Sequence, residues 1–301
     1  MMDGLLNLLK PPGMTSHDCV DVLRRLVGTR RVGHTGTLDP GAAGVLLCCI
    51  GRATRLSEFL MAQDKAYRVE VLLGISTNTG DALGEVIARR EVHVTREALD
   101  EVLRRFTGTI QQIPPMVSAV HREGVRLYQL ARKGIEVERA PRTVTVYAIE
   151  VVRFDPPSVL LDISCSKGTY VRQLAHDIGE ALGCGAHAAF MVRTRLGPHT
   201  LAESATFEEV EEAVRKGEFA HLLIPPAKAL RELPEVEVEG RMRAALLNGQ
   251  PVPLWKVAPH LSLEPGALVK VLDLEGNLLA IGRAQGGQLR PFRVLAGTPR
   301  R

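Results

Sequence analysis

Residues 33–44 read Gly-His-Thr-Gly-Thr-Leu-Asp-Pro-Gly-Ala-Ala-Gly. Four glycines and a proline in twelve residues make an irregular, tightly turning backbone that a ligand can approach closely. One carboxylate, Asp39, stands in this loop, held on its C-terminal side by Pro40. The apolar run Val45-Leu46-Leu47 follows, so the loop leads into a buried element and Asp39 is partly desolvated. Burial raises a carboxyl pKa and disfavours the charged form. A carboxylate that attacks, or that steadies a developing positive charge, needs its own charge and therefore a nearby cation. Arg172 is a candidate. Lys167-Gly168-Thr169 reads as a helix start, which puts Arg172 in the first turn. A cation there opposes the helix dipole and asks for a partner. Taken alone, these residues leave other readings open. Asp39 also fits a turn or helix cap, and Arg172 fits a surface arginine beside Asp177 or an RNA phosphate.

The elements able to position such a loop are legible along the chain. Thr15 and Ser16 are cap residues, and Val20, Leu23, Leu26 and Val27 recur behind them at helical spacing. The stretch 52–62 repeats that pattern. Residues 66–73 alternate as a strand, and Thr95 opens an amphipathic helix to 106. An insertion at about 111–142 is rich in Pro, Gly and Arg, with a helical centre at 126–133. Residues 143–154 and 158–165 are rich in β-branched side chains and read as strands. Residues 170–182 are helical, 188–195 strand-like and 206–216 helical. Pro225-Pro226 and Pro234 mark a joint. Short strands at 267–273, 278–284 and 289–295 follow it and suggest a small β-barrel. The fold class is α+β: a mainly antiparallel mixed sheet flanked by helices over 1–230, then a β-barrel over 231–301.

Composition narrows the function classes. With 301 residues, 45% hydrophobic and 24% charged, the chain can bury a sizeable core. No apolar run approaches the roughly 20 residues of a membrane helix, and the opening MMDGLLNLLKPPG lacks signal-peptide architecture. Cys19, Cys48, Cys49, Cys165 and Cys184 are an odd, scattered set, as expected of free thiols in the cytoplasm. Cys184 and His187 lie close, but no second pair completes a metal-ligand spacing, so no metal is expected. Net charge is +4, a mild lean towards a polyanionic partner. Of 38 basic side chains 30 are arginine, many in local groups. Arginine forks suit phosphate oxygens, though such groups also fit solvated helix faces. No coiled-coil or interface stripe stands out, which favours a monomer.

The motifs together resemble the TruB family of tRNA pseudouridine synthases. Residues 33–40 resemble its signature loop, and Lys10-Pro11-Pro12-Gly13-Met14-Thr15-Ser16 its opening motif. Asp64-Lys65-Ala66-Tyr67-Arg68 resembles its tyrosine strand, and Thr77 to Gly84 its acidic loop. Gln112-Ile113-Pro114-Pro115, Ser118-Ala119 and Tyr128 to Gly134 resemble its RNA-facing insertion. Gly168-Thr169-Tyr170-Val171-Arg172 resembles its arginine helix, and residues 231–301 resemble the PUA domain that often follows. The matches keep family order across about 200 residues.

The resemblance implies roles. Asp39 is the catalytic aspartate, Tyr67 the tyrosine stacked on a flipped uracil, and Arg172 the arginine paired with Asp39. His34, Tyr170 and Met191 contact substrate. Apart from the resemblance, the Arg-rich insertion is expected to set Arg122, Arg126, Arg132 and Arg142 near RNA phosphates, and Lys10 is expected to bind RNA. The implied reaction converts uridine 55 in the TψC arm of tRNA to pseudouridine. It consumes nothing, so it calls for no cofactor, and no obligate protein partner is expected. Leu9, Val117 and His121 depart from the usual family residues, all outside the Asp39, Tyr67 and Arg172 set. A guide-RNA-dependent synthase with the same aspartate loop is the nearest alternative. An RNA-binding or tRNA-folding protein is the alternative from another class.

Overall fold

The structure, a computed structural model, describes residues 2–116, 118, 121–122, 125–126, 135, 137–258 and 261–295. Strand β1 (Gly4–Lys10) leads to helix α1 (Ser16–Val27), the short strand β2 (Val32–His34) and strand β3 (Ala43–Ile50). After one helical turn, α2 (Ser57–Leu60), come β4 (Lys65–Leu73) and a hairpin of β5 (Ile75–Thr77) and β6 (Val86–Arg89). Helix α3 (Arg96–Arg105), strand β7 (Gly108–Gln112) and a small hairpin of β8 (His121–Arg122) and β9 (Val125–Arg126) lead to β10 (Arg142–Asp155). Strand β11 (Ser158–Cys165), helix α4 (Val171–Ala181), strand β12 (Ala186–Leu196), the short strand β13 (His199–Thr200) and helix α5 (Phe207–Lys216) complete the larger part.

The main sheet runs β1-β3-β12-β4-β11-β10-β7. All its pairings are antiparallel except β3 with β12. That single parallel contact brings the end of the Asp39 loop beside the C-terminal half of β12, with Gly44 opposite Arg193. At Gly44 φ is +109°, and a Cβ would stand 2.3 Å from the Arg193 carbonyl oxygen, so only glycine allows this approach. All eight residues of β3 are buried, as the apolar run after the loop leads one to expect. Strand β1 is absent from the sequence reading. Leu5, Leu6 and Leu8 are buried on both faces of it, so the alternation that betrays a half-exposed strand is missing.

Two other elements differ from expectation. The stretch 52–62 is a 3-10 helix (Gly51–Leu56) followed by the single turn of α2. Thr54 Oγ1 donates to the Gly51 carbonyl and Ser57 Oγ to the Thr54 carbonyl; such local bonds compete with the i→i−4 ladder. In the insertion, Arg126 belongs to β9, and the rest of the expected helical centre, 127–134, lies outside the described residues.

Beyond residue 234 a second sheet forms from β14 (Glu235–Glu237), β15 (Val252–Pro253), β16 (Leu268–Leu272), β17 (Leu278–Gln285) and β18 (Gln288–Val294). Its order is β14-β16-β17-β18-β15, a half-barrel sheet consistent with the expected PUA-like β-barrel. The PUA-like sheet shares a core with the larger part. Leu272, Leu278, Ile281 and Leu295 pack in one cluster with Leu5, Val45, Leu56 and Leu60.

Candidate active site

The Asp39 loop is held by side chains from four elements, β1, α1, α4 and β12. Thr15 caps α1 through a reciprocal box with Asp18. Ser16 is the first helical residue, and its hydroxyl accepts from the Leu38 amide at 2.8 Å and donates to the Leu38 carbonyl at 3.2 Å. Lys10 is fully buried. Its Nζ donates to the carbonyls of Ala42 (2.6 Å), Pro11 (3.0 Å) and Pro40 (3.3 Å). The structure thus places the Lys10 ammonium, expected to contact RNA, against the loop backbone. Burial lowers the Lys10 pKa, while the charges of Cys19 and Asp39 oppose the shift. Lys10→Met keeps the apolar stem and strips three carbonyls of their donor. It is expected to cost about 3 kcal/mol of stability and to slow the reaction by misplacing the loop. Thermal unfolding checks this, and an unchanged melting temperature contradicts it.

Asp39 itself is neither a cap nor free. Its carbonyl accepts from the Ala42 amide across the Asp39-Pro40-Gly41-Ala42 turn, while its carboxylate reaches Arg172. Arg172 Nε stands 3.1 Å from one oxygen, and Nη2 donates to the other at 3.3 Å. The helix-start reading of Arg172 holds: it is the second residue of α4, whose first turn carries no acidic residue. Arg172 is buried, and its Nη1 also donates to the Thr79 carbonyl at 3.2 Å and lies 3.6 Å from Asp81. One guanidinium thus serves two carboxylates. Burial raises the Asp39 pKa above the ordinary aspartate value; Arg172 opposes this, Asp81 adds to it, and Lys10 and Arg193 oppose it more weakly. The cation therefore limits the cost of ionising Asp39 without abolishing it.

Asp39 and Arg172 form one wall of a cavity of about 270 Å³. Tyr67, Met191, Arg193, Lys65, Ser118 and Tyr170 also line it. Its volume sits just below the roughly 300 Å³ at which drug-sized pockets begin, a scale suited to one nucleoside. Tyr67 is central in β4, paired with Ile163 on β11 and Arg193 on β12. Burial raises its phenol pKa against the pull of Arg193, so the phenol keeps its proton at neutral pH and acts as a donor. Met191 is buried beside it. Tyr170 is clamped through its backbone: Gln112 Nε2 donates to its carbonyl at 3.0 Å and Gln112 Oε1 accepts from its amide at 2.8 Å. Ser118 is buried, and its Oγ has no hydrogen-bond partner among the described residues. Lys65 donates to the carbonyls of Gln63 at 2.6 Å and Met61 at 3.4 Å, and burial brings its pKa down to about 8.

The remaining expected residues lie apart. His34 is half-buried on β2, accepts weakly from the Gly36 amide, and is not among the cavity's lining residues. Burial lowers its pKa, which leaves it neutral at pH 7. Arg142 is exposed at the start of β10. Arg122 and Arg126 stand on β8 and β9, with side chains outside the description, and Arg132, like Val117, lies outside the described residues. Sequence reasoning missed Asp81, Gln112 and Arg193 as site residues. Asp81 had a signal in the acidic loop. Arg193 had one in parity: two residues from Met191 on a strand, it faces the same side. Among the described residues no three His, Cys, Asp or Glu stand together to hold a metal ion, and the five cysteines are buried and unbridged.

Three family models cover the chain. The TruB family pseudouridylate synthase N-terminal domain matches residues 24–171, the tRNA pseudouridylate synthase B C-terminal domain 172–231, and the pseudouridine synthase II TruB C-terminal region 234–295. The chain is 47% identical over 305 residues to the tRNA pseudouridine synthase B of Moorella thermoacetica, covering 98% of this chain and 100% of that one. It is 53% identical over 252 residues to the enzyme of the same name from Symbiobacterium thermophilum, covering 82% of each. Among solved structures, a Cbf5-Nop10-Gar1 complex superposes with a TM-score of 0.78 at 30% identity, over 98% of this chain and 85% of that chain. An H/ACA RNP bound to a substrate RNA containing 2′-deoxyuridine gives 0.77 at 27%, over 97% and 85%. With its motifs in order and family models matched from residue 24 to 295, this chain belongs to the TruB family of pseudouridylate synthases.

Proposed function

We propose that the protein isomerises uridine 55 in the TψC arm of tRNA to pseudouridine. One observation carries the reading: a carboxylate gripped by a buried arginine forms the wall of a nucleoside-sized cavity whose lining includes a buried tyrosine and a methionine. The target base leaves its stack at a cost of a few kcal/mol and lodges between Tyr67 and Met191. The C1′–N1 bond breaks, uracil rotates, and C5 bonds to C1′. N1 takes up a proton as C5 loses one, so atoms and charge balance without an added reactant. Asp39 supplies the negative charge that the sugar needs as its bond to the base breaks. Tyr67 keeps its proton and donates a hydrogen bond to the base.

The stand-alone reading is favoured over a guided one, because the chain is 47% identical to the Moorella tRNA pseudouridine synthase B but 30% identical to the matched chain of the Cbf5-Nop10-Gar1 complex. We place the joint of the catalytic and PUA-like domains near residue 231, the insertion 111–142 against the RNA arm, and the protein in the cytoplasm as a monomer. No described helix is long and apolar enough to cross a membrane. Purified protein with a bare tRNA transcript is the test. Pseudouridine is expected at position 55 without any guide RNA. A guide requirement, or modification at another uridine alone, overturns the assignment.

A further inference from the structure

Arg193 heads the set of large, fully buried side chains. Its Nε donates to the Val45 carbonyl at 2.7 Å and its Nη2 to the Gly36 carbonyl at 3.1 Å. Both acceptors belong to the strand and loop that carry Asp39. Its strand partner on the other side is Tyr67. From that facing strand the guanidinium's charge acts on the phenol. It also lines the cavity. Among the described residues no carboxylate stands within ion-pair distance of it; the acid-binding arginine of this site is Arg172.

A buried cation without a carboxylate is costly, and apolar residues would fill the space under a sheet more cheaply. The local backbone is shaped to admit it. Strand β12 is irregular on both sides of the stretch 190–193, between Ala188 and Phe190 and between Arg193 and Arg195. Such bulges re-aim side chains beside active sites. An arginine has only donors to offer, so towards this neighbour the phenol presents its oxygen and not its proton. The Tyr67 proton is then directed elsewhere, and the open side is the cavity.

We propose that Arg193 is a positioning residue: it fixes the Asp39 loop beside the strand that carries Tyr67 and, by its charge, turns the phenol's proton towards the bound base. The base-holding and sugar-facing groups then move as one unit. The inference rests on the pseudouridine-forming reading, but its spectroscopic consequence does not. The charged and titratable groups that act on Tyr67 are Arg193 from β12, Cys165 from β11 and Asp39 from the loop. Arg193 is the cation of that set, so its loss raises the phenol pKa.

The experiment uses the full-length protein labelled with fluorotyrosine, whose phenol is more acidic, and follows it by fluorine NMR against pH without RNA. The chain has four tyrosines, and Tyr67→Phe assigns the resonance. Arg193→Gln is expected to move the Tyr67 titration upward, with Arg193→Lys in between. In single-turnover assays Arg193→Gln should lose about 100-fold in rate, with tRNA affinity within about threefold, and Arg193→Lys should recover at least part. In a Tyr67→Phe background the Arg193→Gln loss should shrink well below that figure, since coupled residues are not additive. Should Arg193→Gln fail to fold, Arg193→Lys carries the same comparison. A folded variant with an unmoved Tyr67 titration overturns the proposal. So does a loss that is equally large without the Tyr67 hydroxyl. A wild-type protein that forms no pseudouridine sinks the functional reading and leaves the titration shift standing.

Discussion

Arg172→Met is expected to abolish turnover in the neutral range and to destabilise the fold. The guanidinium is buried and serves Asp39 at 3.1 Å and Asp81 at 3.6 Å. Removing it leaves two carboxylates facing one another in a poorly solvated pocket. Breaking a buried pair typically costs 3–5 kcal/mol; about 3 is expected here, because Asp39 keeps 33% of its side chain exposed. The pH dependence has a definite sign. Asp39 already has a raised pKa, with Arg172 as the largest opposing influence. Without Arg172 it rises further. A carboxyl whose folded pKa lies above its unfolded value contributes stability at low pH, and that contribution is lost as pH rises through the folded pKa. Arg172→Met should therefore melt higher under mildly acidic conditions than at neutral pH. Any residual activity should appear only at higher pH than in the wild type, because the charged form is the working one. Asp81→Asn should do the opposite on a smaller scale. It removes the like charge, lowers the Asp39 pKa, and shifts the acid limb of the rate profile downward. Single-turnover rates and melting curves across pH 5–9 check both. An Arg172→Met limb that does not move would mean that the pair does not govern Asp39.

The pieces that decide this chemistry were unevenly legible. Asp39 alone also fits a turn or helix cap, and it stood out through the motifs that accompany it along the chain. Arg172 stood out because a cation at a helix start needs a partner 133 residues away in sequence. What spacing could not reveal was the second carboxylate. Asp81 reaches the guanidinium only because the β5–β6 hairpin folds over α4, where Gly80 at φ +74° lets its backbone approach the Arg172 carbonyl. Lys10 gave no sign of burial, since lysine is rarely buried. Its burial depends on carbonyls some 30 residues later, a tertiary fact with no local trace. Arg193 was hidden by the habit of reading an arginine in a strand as the exposed face. The C-terminal part was legible as short strands, because turn residues separate its β-branched and aliphatic runs.

Asp39→Asn is expected to have the largest effect of all. The amide keeps the size of the side chain and can still accept from Arg172, so RNA should bind with little change. The charge that the sugar requires is gone, and the rate should fall by about four orders of magnitude or more, as for other groups on which a reaction turns. Arg172 retains Asp81 as a counter-ion, so folding should survive and the loss can be read as chemistry. An RNA-folding role would not depend on this charge and would persist in the variant.

The most direct measurement is the release of tritium from C5-labelled uridine in a tRNA transcript, with wild type and Asp39→Asn side by side at matched, saturating protein. The account expects one tritium per transcript from the wild type, none above background from the variant, and equal RNA binding by both. Release by Asp39→Asn at a comparable rate would contradict it.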